Sequence, residues 1–147
     1  MMINGWRIYF LKSLFGKQRG DLKAEVKALK AKLPQEEYRH HPTVKLYAAV
    51  IRAIKELIPD DPLASRFALT GPLKQYSRVK KMGIPNRYRL FFRVFQAPNA
   101  RAIFILWLGY PRKEGDKRDC YRVFRKMVER GDFPTSLDEL LLESERD

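Results

Sequence analysis

The sequence predicts an α+β fold in which two N-terminal helices pack on an antiparallel sheet and a further helix follows the sheet. Apolar residues recur at three- and four-residue steps between about 20 and 58, which indicates helices. β-prone runs with short turns follow between 75 and 109, and helical spacing returns from 119. One layer of helices on one sheet is a stable two-layer architecture, and it leaves the opposite sheet face open. The length of 147 residues suits one domain over 1–147, with an acidic tail from about 135.

The N-terminal part is predicted to hold a short strand and two helices. Residues 4–10 alternate loosely and are rich in aromatics, which favours a strand. A helix from about Gly20 to Pro34 has an apolar stripe of Leu22, Val26, Leu29 and Leu33. A second helix runs from Pro42, which suits a first turn, to Ile58. Its predicted buried stripe comprises Val44, Tyr47, Ala48, Ile51, Ile54 and Ile58.

The second half of the chain is predicted to form the sheet and then a helix. Strands are expected at 75–80, 88–95 and 101–109, and the loop 97–100 joins the last two as a hairpin. Consecutive strands with short turns form an antiparallel meander. A helix is expected over 119–130, with Gly131 just beyond its end. The acidic residues 136–143 are expected to form a last short helix.

The net charge of +13 is concentrated in one stretch of the sequence. Residues 71–126 hold 15 Lys and Arg against 3 Asp and Glu, a net +12, whereas residues 127–147 carry a net −5. A concentrated positive field attracts polyanions, with strong salt dependence. We therefore expect nucleic acid as the main partner and an acidic protein that covers the same surface. The acidic tail either folds back on the basic surface or is solvated, and the solvated state is favoured.

Cysteine usage and hydropathy favour a cytoplasmic protein. Cys120 is the one cysteine, so neither an internal disulfide nor a cysteine-based zinc site is predicted. No stretch approaches the length of a membrane span. Arg7 and Lys12 interrupt the apolar residues at the start, which argues against a signal peptide.

Three short motifs, taken in order along the chain, resemble a known family. They are Asn4-Gly5-Trp6; Arg78-Val79-Lys80 followed by 86–93; and 119–127 followed by Gly131 and Pro134. Together they resemble the YhaV branch of the RelE-like toxins. The resemblance implies a RelE-like fold and a toxin that cleaves RNA, neutralised by an antitoxin of the PrlF type. It also implies contact with operator DNA only through the antitoxin complex. The loop 109–118 departs from the family pattern.

The resemblance also implies candidate site residues for a metal-independent ribonuclease without a cofactor. RNA carries its own nucleophile, the 2′-hydroxyl, so cleavage needs a base, an acid and cations that neutralise the phosphorane. Lys80 and Arg89 are expected to bind the scissile phosphate, Arg112 or Arg118 to supply further charge, and Tyr121 to stack on a base or transfer a proton. Further RNA-binding candidates are Arg78, Lys81, Arg87, Arg93, Lys113, Lys117, Arg122 and Lys126.

Less specific interpretations stand beside these assignments. A cation on the exposed face of a strand is usually only solvated, and Tyr121 is as compatible with packing as with function. Tyr88, Phe92 and Trp107 are expected in the core, and Cys120 on an apolar helix face. His40 and His41 precede Pro42, so a loop or helix-entry role is favoured over acid–base catalysis. The main alternative function is a non-catalytic RNA- or ribosome-binding module. A DNA-binding regulator is weaker, because no helix-turn-helix signal is evident.

Overall fold

A computed structural model describes residues 1–86, 88–110 and 119–146. Its strands are β1 (Met2–Ile3), β2 (Trp6–Leu11), β3 (Ser77–Val79), β4 (Arg89–Ala97), β5 (Ala100–Gly109) and β6 (Ser144–Arg146). Its α-helices are α1 (Lys17–Lys32), α2 (Gln35–His40), α3 (Pro42–Arg52), α4 (Ile58–Asp60), α5 (Asp119–Glu129) and α6 (Leu137–Leu142). π-Helical turns precede α1 (Lys12–Gly16) and join α3 to α4 (Ala53–Leu57), and Gly71–Leu73 forms a short 3₁₀ helix.

The strands form one mixed sheet rather than a purely antiparallel one. Its order is β1-β2-β5-β4-β3, and β6 also pairs with β2. The predicted meander of β3, β4 and β5 is confirmed, because both of its pairings are antiparallel. However, β2 runs parallel to β5, with Arg7 opposite Ala102. The expectation of an antiparallel sheet was therefore wrong at this pair. Parallel neighbours need a long crossover, and the whole segment between β2 and the meander provides one.

The N-terminal helices cover one face of the sheet, and of the predicted stripe Ile54 and Ile58 are buried there. The second helix buries Leu46, Val50, Ala53, Ile54 and Ile58, whereas Ala48 is exposed. The apolar residues of this helix cover a broad part of its surface. Periodicity alone therefore does not predict which part faces the sheet. Helix α1 starts at Lys17 rather than Gly20, and its leucine stripe is only partly buried.

The opposite face of the sheet is covered as well, which corrects the two-layer expectation. Phe124 of α5 lies parallel to Phe91 of β4 with ring centroids 4.0 Å apart, and Phe133 packs beside it. Cys120, Met127 and Leu140 complete this second core with residues of β2, β4 and β5. Strands β4 and β5 carry large apolar side chains on both faces, which is typical of strands buried on both sides. Phe92 and Trp107 are buried as predicted, and Tyr88 is partly buried against the first core.

The backbone of the C-terminal segment joins the sheet. Helix α6 is confirmed close to its predicted bounds, and the Ser136 hydroxyl caps it by accepting from the Glu139 N–H at 3.1 Å. Strand β6 then pairs antiparallel with β2, and the Lys12 N–H donates to the Glu143 carbonyl at 3.0 Å. The acidic side chains Asp138, Glu139, Glu143 and Glu145 are nevertheless exposed, so the expected solvation of these charges is confirmed although the backbone of β6 is paired. Among the described residues, no helix is long and apolar enough to cross a membrane.

Candidate functional site

The Tyr121 hydroxyl links three elements of the fold. It accepts a hydrogen bond from Arg78 Nε at 3.0 Å and another from Arg89 Nε at 3.1 Å. Arg78 lies on β3 opposite Phe91, and Arg89 lies two residues before Phe91 on β4, so both side chains project from one face of the sheet. Tyr121 lies in the first turn of α5, which covers that face, and its ring meets Phe91 edge to face at 5.8 Å. We call Arg78, Arg89 and Tyr121 the arginine–tyrosine cluster.

Backbone carbonyls hold both guanidiniums of the cluster in place. Arg89 is only 8% exposed, and its Nη1 donates to the Tyr88 carbonyl at 2.7 Å. Arg78 Nη1 donates to the Arg66 carbonyl at 3.0 Å. Within the described residues, these partners and the phenol are all neutral oxygens. Because a buried charge is costly unless it is paired, the cluster is suited to receive an anion.

A cavity of about 510 Å³ opens beside the cluster. It is lined by Thr70, Pro72, Leu73, Arg78, Lys80, Tyr121, Arg122 and Arg125. The structure therefore brings together four of the residues singled out from the sequence, Arg78, Lys80, Tyr121 and Arg122, around one cavity. Arg89 lies behind them and reaches the cavity through the Tyr121 hydroxyl.

Three other candidates lie apart from this cavity. Arg93 donates to the Thr135 carbonyl at 2.8 Å and lies over the Phe95 ring at 4.4 Å. Burial lowers the pKa of Arg93, and the neighbouring Tyr76 partly offsets this effect. Lys81 is exposed and has a left-handed backbone, with φ of 59°. Lys126 is exposed on α5 and does not line the cavity. Their assignment as RNA-binding residues stays a prediction.

Five candidates lie outside the described residues: Arg87, Arg112, Lys113, Lys117 and Arg118. Their assignments stay predictions.

The two histidines lie at helix ends, and the cysteine is buried in the core. His41 precedes α3, and its Nδ1 accepts from the Thr43 N–H at 3.2 Å, so it caps the helix. His40 Nδ1 lies 2.8 Å from the Glu36 carbonyl at the end of α2. The contact of His41 confirms the helix-entry role for that residue, whereas His40 is the last residue of α2. Cys120 is buried and is not part of a disulfide. Within the described ranges, no three His, Cys, Asp or Glu side chains are grouped as metal ligands.

The cavity also contains residues that the sequence analysis did not single out. Thr70, Pro72 and Leu73 come from the segment before β3. Arg125 lies one turn after Tyr121 on α5 and pairs with Glu129 at 3.0 Å. Short polar and apolar residues beside a turn carry no specific signal, so only the packing of this segment against α5 reveals their position.

The family model and the similar proteins all indicate one family. A family model described as a toxin with endonuclease activity, of a toxin–antitoxin system, matches residues 9–145. The chain is 37% identical to the protein named Toxin YhaV of Escherichia coli O6:H1 (strain CFT073), and 36% identical to the Ribonuclease toxin YhaV of Escherichia coli (strain K12). Each alignment covers 97% of this chain and 94% of the relative. No solved structure matches the chain.

Proposed function

Because this chain belongs to the YhaV family of toxin–antitoxin toxins with endonuclease activity, we propose that it cleaves messenger RNA without a metal, through attack of the 2′-hydroxyl. The observation that supports this most is the arginine–tyrosine cluster, in which two cations meet at one hydroxyl beside an open cavity. Such a group of fixed donors suits the negative charge that develops on the phosphate oxygens in the transition state. The relative from strain K12 is named a ribonuclease, which agrees with RNA as the substrate.

Each residue of the cavity has a role in this proposal. Arg78 and Lys80 bind the non-bridging oxygens of the scissile phosphate from the open side. Arg89 keeps the Tyr121 hydroxyl oriented and adds positive charge from behind. Tyr121 transfers a proton, either from the 2′-hydroxyl or to the leaving 5′-oxygen. Arg112 or Arg118 supplies a further cation from the loop before α5. Arg122 and the other basic candidates bind neighbouring phosphates, which gives affinity but no sequence preference.

The wider setting of the activity follows from the family. We propose a RelE-like arrangement within one domain over 1–147, acting in the cytoplasm on free messenger RNA or on the ribosome. A partner antitoxin is expected for a member of this family, and we propose that it is of the PrlF type and carries the contact with operator DNA. The excess of 12 positive charges over 71–126 favours an acidic partner segment on the same surface.

The competing function is an RNA- or ribosome-binding module without catalysis. Phosphate contacts alone would explain the basic surface, so affinity does not separate the two functions. The deciding feature is the Tyr121 hydroxyl, since a binding surface has no need for a proton-transferring group held by two cations.

A cleavage assay in EDTA tests the proposal. We expect the wild-type protein to cleave RNA in EDTA, to leave 2′,3′-cyclic phosphate ends, and to lose cleavage in Arg89→Ala and Lys80→Ala. Arg101→Ala is the matched control, because Arg101 is exposed at the other end of β5 and lies over the Trp6 ring at 4.3 Å. The assay is repeated with translating ribosomes. Salt-sensitive RNA binding with no cleavage in either setting, or wild-type rates in both variants, would contradict the catalytic proposal.

A further inference from the structure

The cavity beside the arginine–tyrosine cluster has two chemically different walls. One wall is cationic and contains Arg78 and Lys80. The other consists of Thr70, Pro72 and Leu73, so it offers apolar carbon atoms and a hydroxyl group. Leu73 is buried in the core on the α5 side of the sheet, whereas Thr70 and Pro72 are exposed. This second wall carries no positive charge, so charge does not explain its presence beside a phosphate site.

The second wall is fixed relative to Arg78. The Leu69 N–H donates to the Tyr76 carbonyl at 3.3 Å, and the Arg78 N–H donates to the Phe67 carbonyl at 2.8 Å. The segment 67–78 therefore doubles back on itself and ends in the strand that carries Arg78. The Arg78 side chain adds a third link through the Arg66 carbonyl.

The tip of this segment is conformationally restricted as well. Gly71 has φ of +61°, a value that favours glycine, and the ring of Pro72 fixes the next φ. The Leu73 N–H donates to the Thr70 carbonyl at 3.3 Å and closes the 3₁₀ turn. The wall is thus positioned before any ligand arrives, and this reduces the entropy lost when the ligand binds.

We propose that Thr70, Pro72 and Leu73 form a nucleobase subsite that selects the base next to the cleaved phosphate. The inference depends on the proposed function, because it requires an RNA phosphate on the arginine–tyrosine cluster. A strand with its phosphate at that position has a base on an adjacent ribose, within reach of the second wall. Base faces are apolar and base edges are polar, so Pro72 and Leu73 contact the face while the Thr70 hydroxyl hydrogen-bonds the edge. A volume of about 510 Å³ accommodates a group of this size.

The test compares cleavage-site preference in Thr70→Val and Pro72→Ala with that of the wild type. The substrate is a pool of transcripts with a randomised window, cleaved free in solution and on translating ribosomes, and the new 5′ ends are sequenced. Since a hydrogen bond contributes about 0.5–1.5 kcal/mol, Thr70→Val is expected to reduce the preference for one base, at one position beside the cut, by about 3- to 10-fold. Thr135→Val and Pro98→Ala are matched controls, because both residues are exposed and lie outside this cavity.

The outcomes separate this inference from the proposed function. A shift in base preference in Thr70→Val or Pro72→Ala, with the wild-type pattern in both controls, supports the subsite. Wild-type cleavage without any base preference overturns it. So does an unchanged preference in both variants, or a fall in rate that is equal for all four bases. Absence of wild-type cleavage in both settings, or cleavage that survives in Arg89→Ala, overturns the proposed function, and the subsite with it.

Discussion

Removing the Tyr121 hydroxyl gives the sharpest test of the arginine–tyrosine cluster. In Tyr121→Phe, Arg78 Nε and Arg89 Nε each lose the acceptor that they reach at 3.0 and 3.1 Å. A hydrogen bond to a charged group contributes about 1.5–3 kcal/mol, but Tyr121 is partly exposed and water replaces part of the loss. The free energy of unfolding is therefore expected to fall by about 1–3 kcal/mol. For a chain of this size, Tm then falls by roughly 3–10 °C.

Activity is expected to fall much further than stability. A positioned group that transfers a proton contributes about 10²- to 10⁴-fold, so Tyr121→Phe loses cleavage on this scale at temperatures where it remains folded. RNA affinity changes little, because the cations that bind phosphate remain. The assays are thermal unfolding, RNA binding and single-turnover cleavage. Tyr47→Phe on α3 is the matched control, since it lies on the helices of the opposite sheet face. Cleavage within about threefold of the wild type, despite the lower Tm, would refute the catalytic role of the hydroxyl.

Two further predictions concern stability. Burial raises the pKa of the Tyr76 phenol above its ordinary value of 10.0, and Arg93 partly offsets this effect. The folded chain therefore keeps this proton more tightly than the unfolded chain, so the contribution of Tyr76 is intact below pH 10 and is lost as the pH rises above it. In urea unfolding, Tyr76→Phe should lose less stability than the wild type between about pH 9.5 and 11, and equal losses would contradict the sign. Gln18 donates to the Leu108 carbonyl at 2.9 Å and accepts from its N–H at 2.8 Å, so Gln18→Ala should cost about 2–4 kcal/mol, whereas the exposed Gln35→Ala should cost little.

The sequence predicted the meander because its signals are local. The alternation and turns of 75–109 fix antiparallel neighbours, and both pairings are confirmed. The parallel pairing of β2 with β5 has no local signal, since it joins residues about 95 apart in the sequence. The same holds for β6, where only three residues join the sheet and their composition is polar. Long-range pairing is set by the packing of the whole core rather than by composition.

Only those site residues that have a local sequence signal could be predicted. The two-residue spacing of Arg78 and Lys80 and the position of Tyr121 at a helix start were visible in the sequence, and these residues do line one cavity. Arg93 shares a sheet face with Arg89. However, the Arg93 guanidinium contacts the Thr135 carbonyl and two aromatic rings rather than the cavity. Periodicity identifies a face, whereas it does not distinguish a cation that meets a cavity from one that packs under a loop. The second wall of the cavity (Thr70, Pro72 and Leu73) could not be predicted from the sequence, because its position depends on how the segment before β3 folds back.

The comparison of Arg89 with Arg93 also indicates why the cluster is the better anion site. Both guanidiniums are at least partly buried, and within the described residues both contact neutral oxygens and aromatic rings. Arg93 does not line the cavity beside the cluster, and its guanidinium contacts the Thr135 carbonyl and the Phe95 ring instead. Arg89 shares its acceptor with Arg78, and that acceptor faces a cavity lined by further cations. One shared hydroxyl and two backbone carbonyls are neutral, so they do not balance the charge of two guanidiniums. A phosphate, or an acidic side chain of an antitoxin, supplies the negative charge that balances the two guanidiniums. RNA and the antitoxin are therefore expected to compete for the same cluster.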